Sequence, residues 1–104
     1  MEYTIRCHNE KNGYFTKTVE GTPVILMEGY SFFVHRTLFD NPQDDVDQFM
    51  NRWSVTEVSS GYVVATGRDE ISAISKAMQN VEGQTEKFIK MVAEAVENNK
   101  TLFV

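Results

Sequence analysis

The chain has 104 residues, 41% of them hydrophobic and 24% charged, so it is long enough for one domain with a modest core. The formal net charge of -5 argues against nucleic acid or an anionic membrane as the main ligand, and it favours a basic protein partner or simple solubility. The single cysteine, Cys7, excludes an intramolecular disulfide and is typical of a reducing compartment. We therefore expect one cytoplasmic domain over residues 1–104, without a membrane-spanning segment.

Alternation of apolar and polar residues predicts β-strands in the first half of the chain. Tyr3–His8 alternates between two faces, the turn residues Asn12-Gly13 follow, and Tyr14–Val19 is β-branched and aromatic, which together predict a hairpin. Glu20-Gly21 predicts a second turn. The later run Tyr30–Thr37 has aromatic residues on both faces, which is typical of a central strand covered on both sides, or of one whose outer face binds a partner.

A second hairpin is predicted before the C-terminal third. Trp53–Val58 alternates, Ser59-Ser60-Gly61 has the composition of a turn, and Tyr62–Thr66 returns as a strand. Strands followed by helix indicate an α+β fold. We expect a mainly antiparallel β-sheet of about five to six strands, packed on one face by a long C-terminal helix or by two consecutive helices.

The helical segment is predicted over Asp69–Asn98, with Asp69 as its N-cap. A heptad-like stripe of mostly apolar residues is expected to face the sheet. Its members are Ile71, Ile74, Met78, Val81, Thr85, Phe88, Val92 and Ala95. Gly83 falls opposite this stripe, which favours one long or kinked helix. The alternative is two helices broken near Gly83, with Thr85 capping the second.

An acidic segment lies between the predicted strands and contains no base between Arg36 and Arg52. Its carboxylates are Asp40, Asp44, Asp45 and Asp47. Asn41 and Pro42 could begin a short helix, whose positive end would favour these charges. The segment is then a solvated helix start, a docking site for a basic partner, or a site for a hard cation. Because the spacing is not that of an EF-hand, we expect no metal.

Three aromatic residues on predicted strands, Tyr30, Trp53 and Tyr62, are candidates for partner binding if they lie on the sheet face that the helix leaves free. The alternative is that they belong to the core. No phosphate-binding loop or nucleophile elbow is present, and the neighbours Cys7 and His8 would point to opposite faces of a strand. We therefore expect no catalytic residues and no cofactor.

One part of the sequence resembles a known group of proteins. Phe33-Val34-His35-Arg36, then Trp53-Ser54-Val55-Thr56-Glu57, then Gly61, Gly67 and Ala73 before a helix, is similar to short proteins carried by phages and mobile elements of Gram-positive bacteria. The resemblance covers the middle 40 or so residues, without the segment 40–50 or the C-terminal helix. It implies a small accessory protein, a class that includes inhibitors of host defence such as anti-CRISPR proteins. It assigns no residue a role.

These observations favour a small, acidic, non-enzymatic protein-binding module that inhibits a host nucleic-acid-binding or defence protein by occupying a basic surface. The expected contact residues are the four aspartates with Tyr30, Trp53 and Tyr62. One alternative is a homodimeric structural subunit with no inhibitory role. Another is a small-ligand-binding protein or enzyme with a pocket between helix and sheet.

Overall fold

A computed structural model describes residues 1–9, 13–37 and 51–102. The described chain forms one five-stranded antiparallel sheet, in the order β1-β2-β3-β4-β5, followed by two consecutive helices. The α+β prediction is thus confirmed. The elements are β1 Glu2–Asn9, β2 Gly13–Val24, β3 Phe32–Arg36, β4 Trp53–Glu57, β5 Val63–Gly67, α1 Glu70–Gly83 and α2 Thr85–Leu102.

The second strand is longer than the sequence indicates, and the turn predicted at Glu20-Gly21 is wrong. β2 runs through both residues: its first part pairs with β1 as far as Glu20, and its last part, from Gly21, pairs with β3. A Cβ atom at Gly21 would lie 2.7 Å from the ring of Phe33. The glycine therefore marks a close approach between strands, because any side chain there would meet this ring.

The central strand is covered on both sides, as its two aromatic faces predict. Residues 32–35 of β3 are 1–3% exposed. On one side Phe32 and Val34 join the core beneath the helices. On the other side Phe33 stacks on Tyr3 of β1, with ring centroids 4.0 Å apart and planes within 6°. The first strand therefore contributes to the face that the helices leave open.

The turn between β4 and β5 is organised by a buried carboxylate. Glu57 is 1% exposed and accepts hydrogen bonds from the backbone N–H of Ser59 (2.8 Å), the Ser59 hydroxyl (2.6 Å) and the backbone N–H of Ser60 (2.9 Å). Gly61 has the positive φ of 74° that closes the predicted turn. Asn99 of α2 then donates to the Ser60 carbonyl at 2.6 Å, which ties the last helix to this turn.

The C-terminal third is two helices, the alternative that the sequence left open. Asp69 is the N-cap of α1, as predicted, and accepts from the Ser72 N–H at 2.7 Å. Gln84 interrupts the helix with φ -140° and ψ 49°. Thr85 does not cap the second helix, although the two-helix alternative gave it that role. It is the first residue of α2, and its hydroxyl donates back to the Val81 carbonyl at 2.8 Å, so it satisfies the end of α1.

The predicted apolar stripe is wrong at Ile71 and Met78 of α1, whereas Val81 is buried and Ile74 packs against the core, as predicted. Ile71 is 80% exposed and Met78 41% exposed, whereas the buried face of α1 is formed by Ala73, Ala77 and Val81. The cause is the short distance between the start of α1 and the sheet, where only small side chains fit. In α2, the predicted residues Phe88 and Val92 are buried, at 5% and 4% exposure.

Candidate functional site

The structure places the three candidate aromatic residues on the helix side of the sheet, partly buried against the core. Tyr30 and Tyr62 both contact the buried ring of Phe88, with centroids at 5.4 Å and 6.5 Å. The two tyrosines therefore lie around the same buried ring, at the edge of the core. Trp53 is the first residue of β4. It therefore lies at the opposite end of this strand from the β4–β5 turn, which Tyr62 follows.

Trp53 lies beside a basic residue that the sequence analysis did not select. Arg36 is the register partner of Trp53 across β3 and β4, and its guanidinium carbon lies 5.0 Å from the centre of the indole ring. This distance is that of a cation–π interaction. Arg36 is exposed and Trp53 half-buried, so the pair presents both an apolar ring and a charge at the surface. Only the strand register reveals it, because 16 residues lie between the two positions.

This pair lines an open cleft of about 320 Å³ between the end of the sheet and the start of α1. Its charged members are the Met1 ammonium, Arg36, Glu20 and Glu70. The Met1 ammonium contacts the Glu20 carboxylate at 3.2 Å, and Glu70 lies in the first turn of α1, where the helix dipole favours an acid. Among the described residues that line the cleft, two positive and two negative charges therefore balance.

The acidic segment is connected to this same end of the sheet. Arg36 is the last residue of β3 and Trp53 the first of β4, and the Thr37 N–H donates to the Arg52 carbonyl at 2.8 Å. The chain between them therefore leaves and re-enters the sheet beside the cleft. Its four predicted contact residues lie outside the described residues; they are Asp40, Asp44, Asp45 and Asp47. Without these four, the chain has eleven acidic and ten basic residues, so they account for most of the net charge.

A buried polar network lies under the opposite face of the sheet. His35 is 3% exposed; its Nδ1 donates to the Arg36 carbonyl at 2.8 Å, which leaves Nε2 to accept from the Thr56 hydroxyl at 2.8 Å. Thr37 and Ser54 are joined by a hydroxyl–hydroxyl hydrogen bond of 2.5 Å. Burial lowers the pKa of His35, against the opposing effect of its bond to the Arg36 carbonyl. The network holds neighbouring strands together, with His35, Ser54 and Thr56 buried and Thr37 half-buried.

A second cleft lies between β5 and the junction of the two helices. A ligand pocket between helix and sheet is one of the alternatives that the sequence leaves open. It has a volume of about 210 Å³ and is lined by residues that include Tyr62, Asn80, Lys87 and Phe88. The side-chain amide of Asn80 donates to the Val64 carbonyl at 3.0 Å. Ligand sites typically measure about 300–1,000 Å³, so this cleft is small for a ligand of ordinary size.

Two further features bear on the class of site. Within residues 1–9, 13–37 and 51–102, no three histidine, cysteine or carboxylate side chains come together as metal ligands. Neither helix in this part of the chain is long and apolar enough to cross a membrane.

Comparison of the chain with protein-family models, with curated protein sequences and with solved structures finds no match. The resemblance to phage and mobile-element proteins therefore stays a prediction.

Proposed function

We propose that this chain is a non-enzymatic protein-binding module that occupies a basic surface of its partner. Its contact surface would be the Trp53 cleft together with the acidic segment attached to it. The observation that carries the proposal is the position of the Arg36–Trp53 pair at the point where the acidic segment joins the sheet.

The cleft supplies the side chains that contribute most to binding energy in protein interfaces. Tryptophan and arginine are enriched among such residues, because each offers a large contact area and a directional polar group. Trp53 is held by its packing against the core and by the cation–π contact with Arg36, so little side-chain entropy is lost when a partner covers it. This pre-ordering supports a binding role for a surface residue that is otherwise only partly buried.

The acidic segment supplies the charge that the cleft lacks. Its aspartates belong to a stretch of sequence without any base, and the described residues that flank this stretch lie beside the cleft. A concentration of one sign of charge accelerates association with a surface of the opposite sign and makes that rate fall with added salt. The proposed partner therefore has a basic surface, such as the groove of a nucleic-acid-binding or host-defence protein, and binding would block that groove.

The test begins with capture of a partner from a bacterial lysate by the immobilised chain, at low and high salt, followed by purification of the captured protein. We expect Asp44→Lys with Asp45→Lys to weaken its binding at least tenfold in calorimetry. Trp53→Ala should also weaken it, with circular dichroism confirming that the variant is folded. The matched control, Glu28→Lys with Glu94→Lys, changes the net charge equally at exposed positions away from the cleft and should bind as the wild type does.

Inhibition is tested separately with the same purified partner. Fluorescence anisotropy of a labelled oligonucleotide should report its displacement from the partner by the wild-type chain but not by the double aspartate variant. Equal binding by the aspartate variant and its control would refute the contact surface. Simultaneous binding of chain and oligonucleotide would refute the inhibitory role while leaving the binding role in place.

A further inference from the structure

The outer edge of β1 carries backbone groups that β2 does not use. β1 is the first strand of the described sheet and pairs with β2 alone. At the start of this ladder the Gly21 N–H donates to the Met1 carbonyl at 2.9 Å, and the Met1 ammonium contacts the Gly21 carbonyl at 3.3 Å. Because such pairs alternate along an antiparallel ladder, every second residue of β1 directs its N–H and C=O groups away from β2. These outer-edge residues are Glu2, Thr4, Arg6 and His8.

The outer edge lies away from the helices. α1 packs on β3, β4 and β5, towards the other side of the sheet, and both Glu2 and Thr4 are exposed. A row of unused N–H and C=O groups at the edge of a sheet is a template for a further strand, because each group has a direction in which it can still form a hydrogen bond. The edge of β1 can therefore accept an antiparallel strand.

The charge of Glu2 indicates what chemistry that strand should have. The register partner of Glu2 on β2 is Glu20, and like charges directly opposite each other are unfavourable. The Met1 ammonium contacts the Glu20 carboxylate at 3.2 Å, whereas none of the ion pairs among the described residues involves Glu2. A basic residue opposite Glu2 on its outer side would therefore be stabilising.

β1 itself has a basic residue at the matching position. When a second β1 runs antiparallel to the first with Thr4 opposite Thr4, Arg6 of each copy comes opposite Glu2 of the other. Arg6 and Glu2 are both outer-edge residues, so they are on the same face of the strand and these pairs exchange backbone hydrogen bonds. On the other face Tyr3 comes opposite Ile5, an aromatic and β-branched combination that is favourable across strands. The edge is thus self-complementary, as a two-fold interface requires.

We propose that the chain forms a two-fold homodimer by strand addition, with β1 antiparallel to β1 of a second copy and Thr4 opposite Thr4. The two five-stranded sheets then form one continuous sheet. Charge selects this register, since sliding one copy by two residues places Glu2 opposite Thr4 or His8 instead. The inference does not depend on the proposed function, because its test measures the association of the chain with itself.

Proline at position 4 tests the backbone pairing. The Thr4 N–H points away from β2, so Thr4→Pro removes no hydrogen bond of the β1–β2 ladder, but it removes both N–H···O bonds at the two-fold axis. In sedimentation equilibrium we expect the mean mass of the wild-type chain to rise between micromolar and near-millimolar concentrations, whereas Thr4→Pro should stay monomeric. Thr4→Ala keeps the N–H group and is the matched control, which should dimerise. Circular dichroism verifies that each variant is folded.

Charge reversal tests the register, and it decides the question if Thr4→Pro fails to fold. Arg6→Glu and Glu2→Arg should each weaken dimerisation about tenfold, because each converts two symmetric attractions into repulsions. The double variant should dimerise as the wild type does. Within one copy the two positions are about 13 Å apart, so restored association reports a contact between copies. Lys90→Glu and Glu28→Arg change the charge equally at exposed positions off β1 and are the matched controls.

Three results would overturn the proposal. The first is a wild-type chain that stays monomeric at near-millimolar concentration. The second is a dimer that a folded Thr4→Pro variant forms as readily as the wild type, because that dimer does not use the outer edge of β1. The third is a double charge variant that dimerises no better than the single variants, because Arg6 and Glu2 are then not opposite each other.

Discussion

The contact between α1 and the end of β5 depends on one residue without a side chain, and Gly67→Ala measures it. A Cβ atom at Gly67 would lie 2.5 Å from the Ala73 nitrogen, 2.9 Å from the Ser72 carbonyl carbon and 3.0 Å from the Ala73 Cα. All three are backbone atoms of the first turns of the helix, so no side-chain rotation relieves the overlap. The helix must move away from the sheet.

The expected cost follows from what this movement opens. Ala73 and Ala77 are 0% exposed because the helix backbone lies directly on the strands. Overpacking of a core typically costs about 1–3 kcal/mol, and rigid backbone neighbours place Gly67→Ala at the upper end, near 3 kcal/mol. For a domain of this size, that loss lowers the melting temperature by roughly 10–20 °C.

Gly83→Ala is the matched control, because it is the same substitution at a site with free space. Beyond the neighbouring residues and the backbone of its own helix, no atom of the described residues lies within 4 Å of a Cβ built on Gly83, at the end of α1, and its φ is not in the left-handed region. Alanine should stabilise the protein there by about 0.5 kcal/mol, since it restricts the unfolded chain more than glycine does.

Urea unfolding of both variants and the wild type, followed by circular dichroism, gives the two differences in free energy with opposite signs expected. A Gly67→Ala variant within about 0.5 kcal/mol of the wild type would refute the close helix–sheet contact, because ordinary surface substitutions have effects of that size. A loss of stability in Gly83→Ala would refute the free space at the helix break.

Further predictions concern groups with defined partners. Glu57→Gln should destabilise the protein by about 1–3 kcal/mol in urea unfolding, because an amide cannot accept all the bonds of the buried carboxylate; equal stability would contradict its anchoring role. Asp69→Ala should lower the melting temperature and Asp69→Asn should largely preserve it, since asparagine also caps. Phe88→Ala should lower the free energy of unfolding by about 3–5 kcal/mol, and a much smaller loss would indicate that the ring is not in the core. Folding lowers the pKa of His35. The stabilisation that neutral His35 contributes is therefore fully present above its unfolded pKa of 6.5 and is lost as the pH falls below that value. Urea midpoints should therefore fall from pH 7.5 to 5.5 (roughly one unit either side of that pKa), and NMR should show the His35 ring titrating below 6.5; a ring that titrates higher would contradict this.

Local patterns in the sequence were sufficient for most of the element order. The strand alternation, the Ser59-Ser60-Gly61 turn and the Asp69 cap depend on neighbouring residues, so they can be read without knowing the fold. The turn predicted at Glu20-Gly21 failed because glycine has two uses. It permits a turn, and it also permits two strands and a ring to come close, which is its use here.

The candidate site was less accessible from sequence because it is assembled across strands. Trp53 is a candidate from the sequence because it is an aromatic residue on a predicted strand. Its partner Arg36 is identified only from the β3–β4 register. The face of α1 that meets the sheet was also decided by tertiary structure. Hydrophobicity alone favours Ile71 and Met78 as buried residues. The close approach of the start of α1 to the sheet instead places the small Ala73 and Ala77 at the contact, because a large side chain cannot fit where the backbone itself makes the contact.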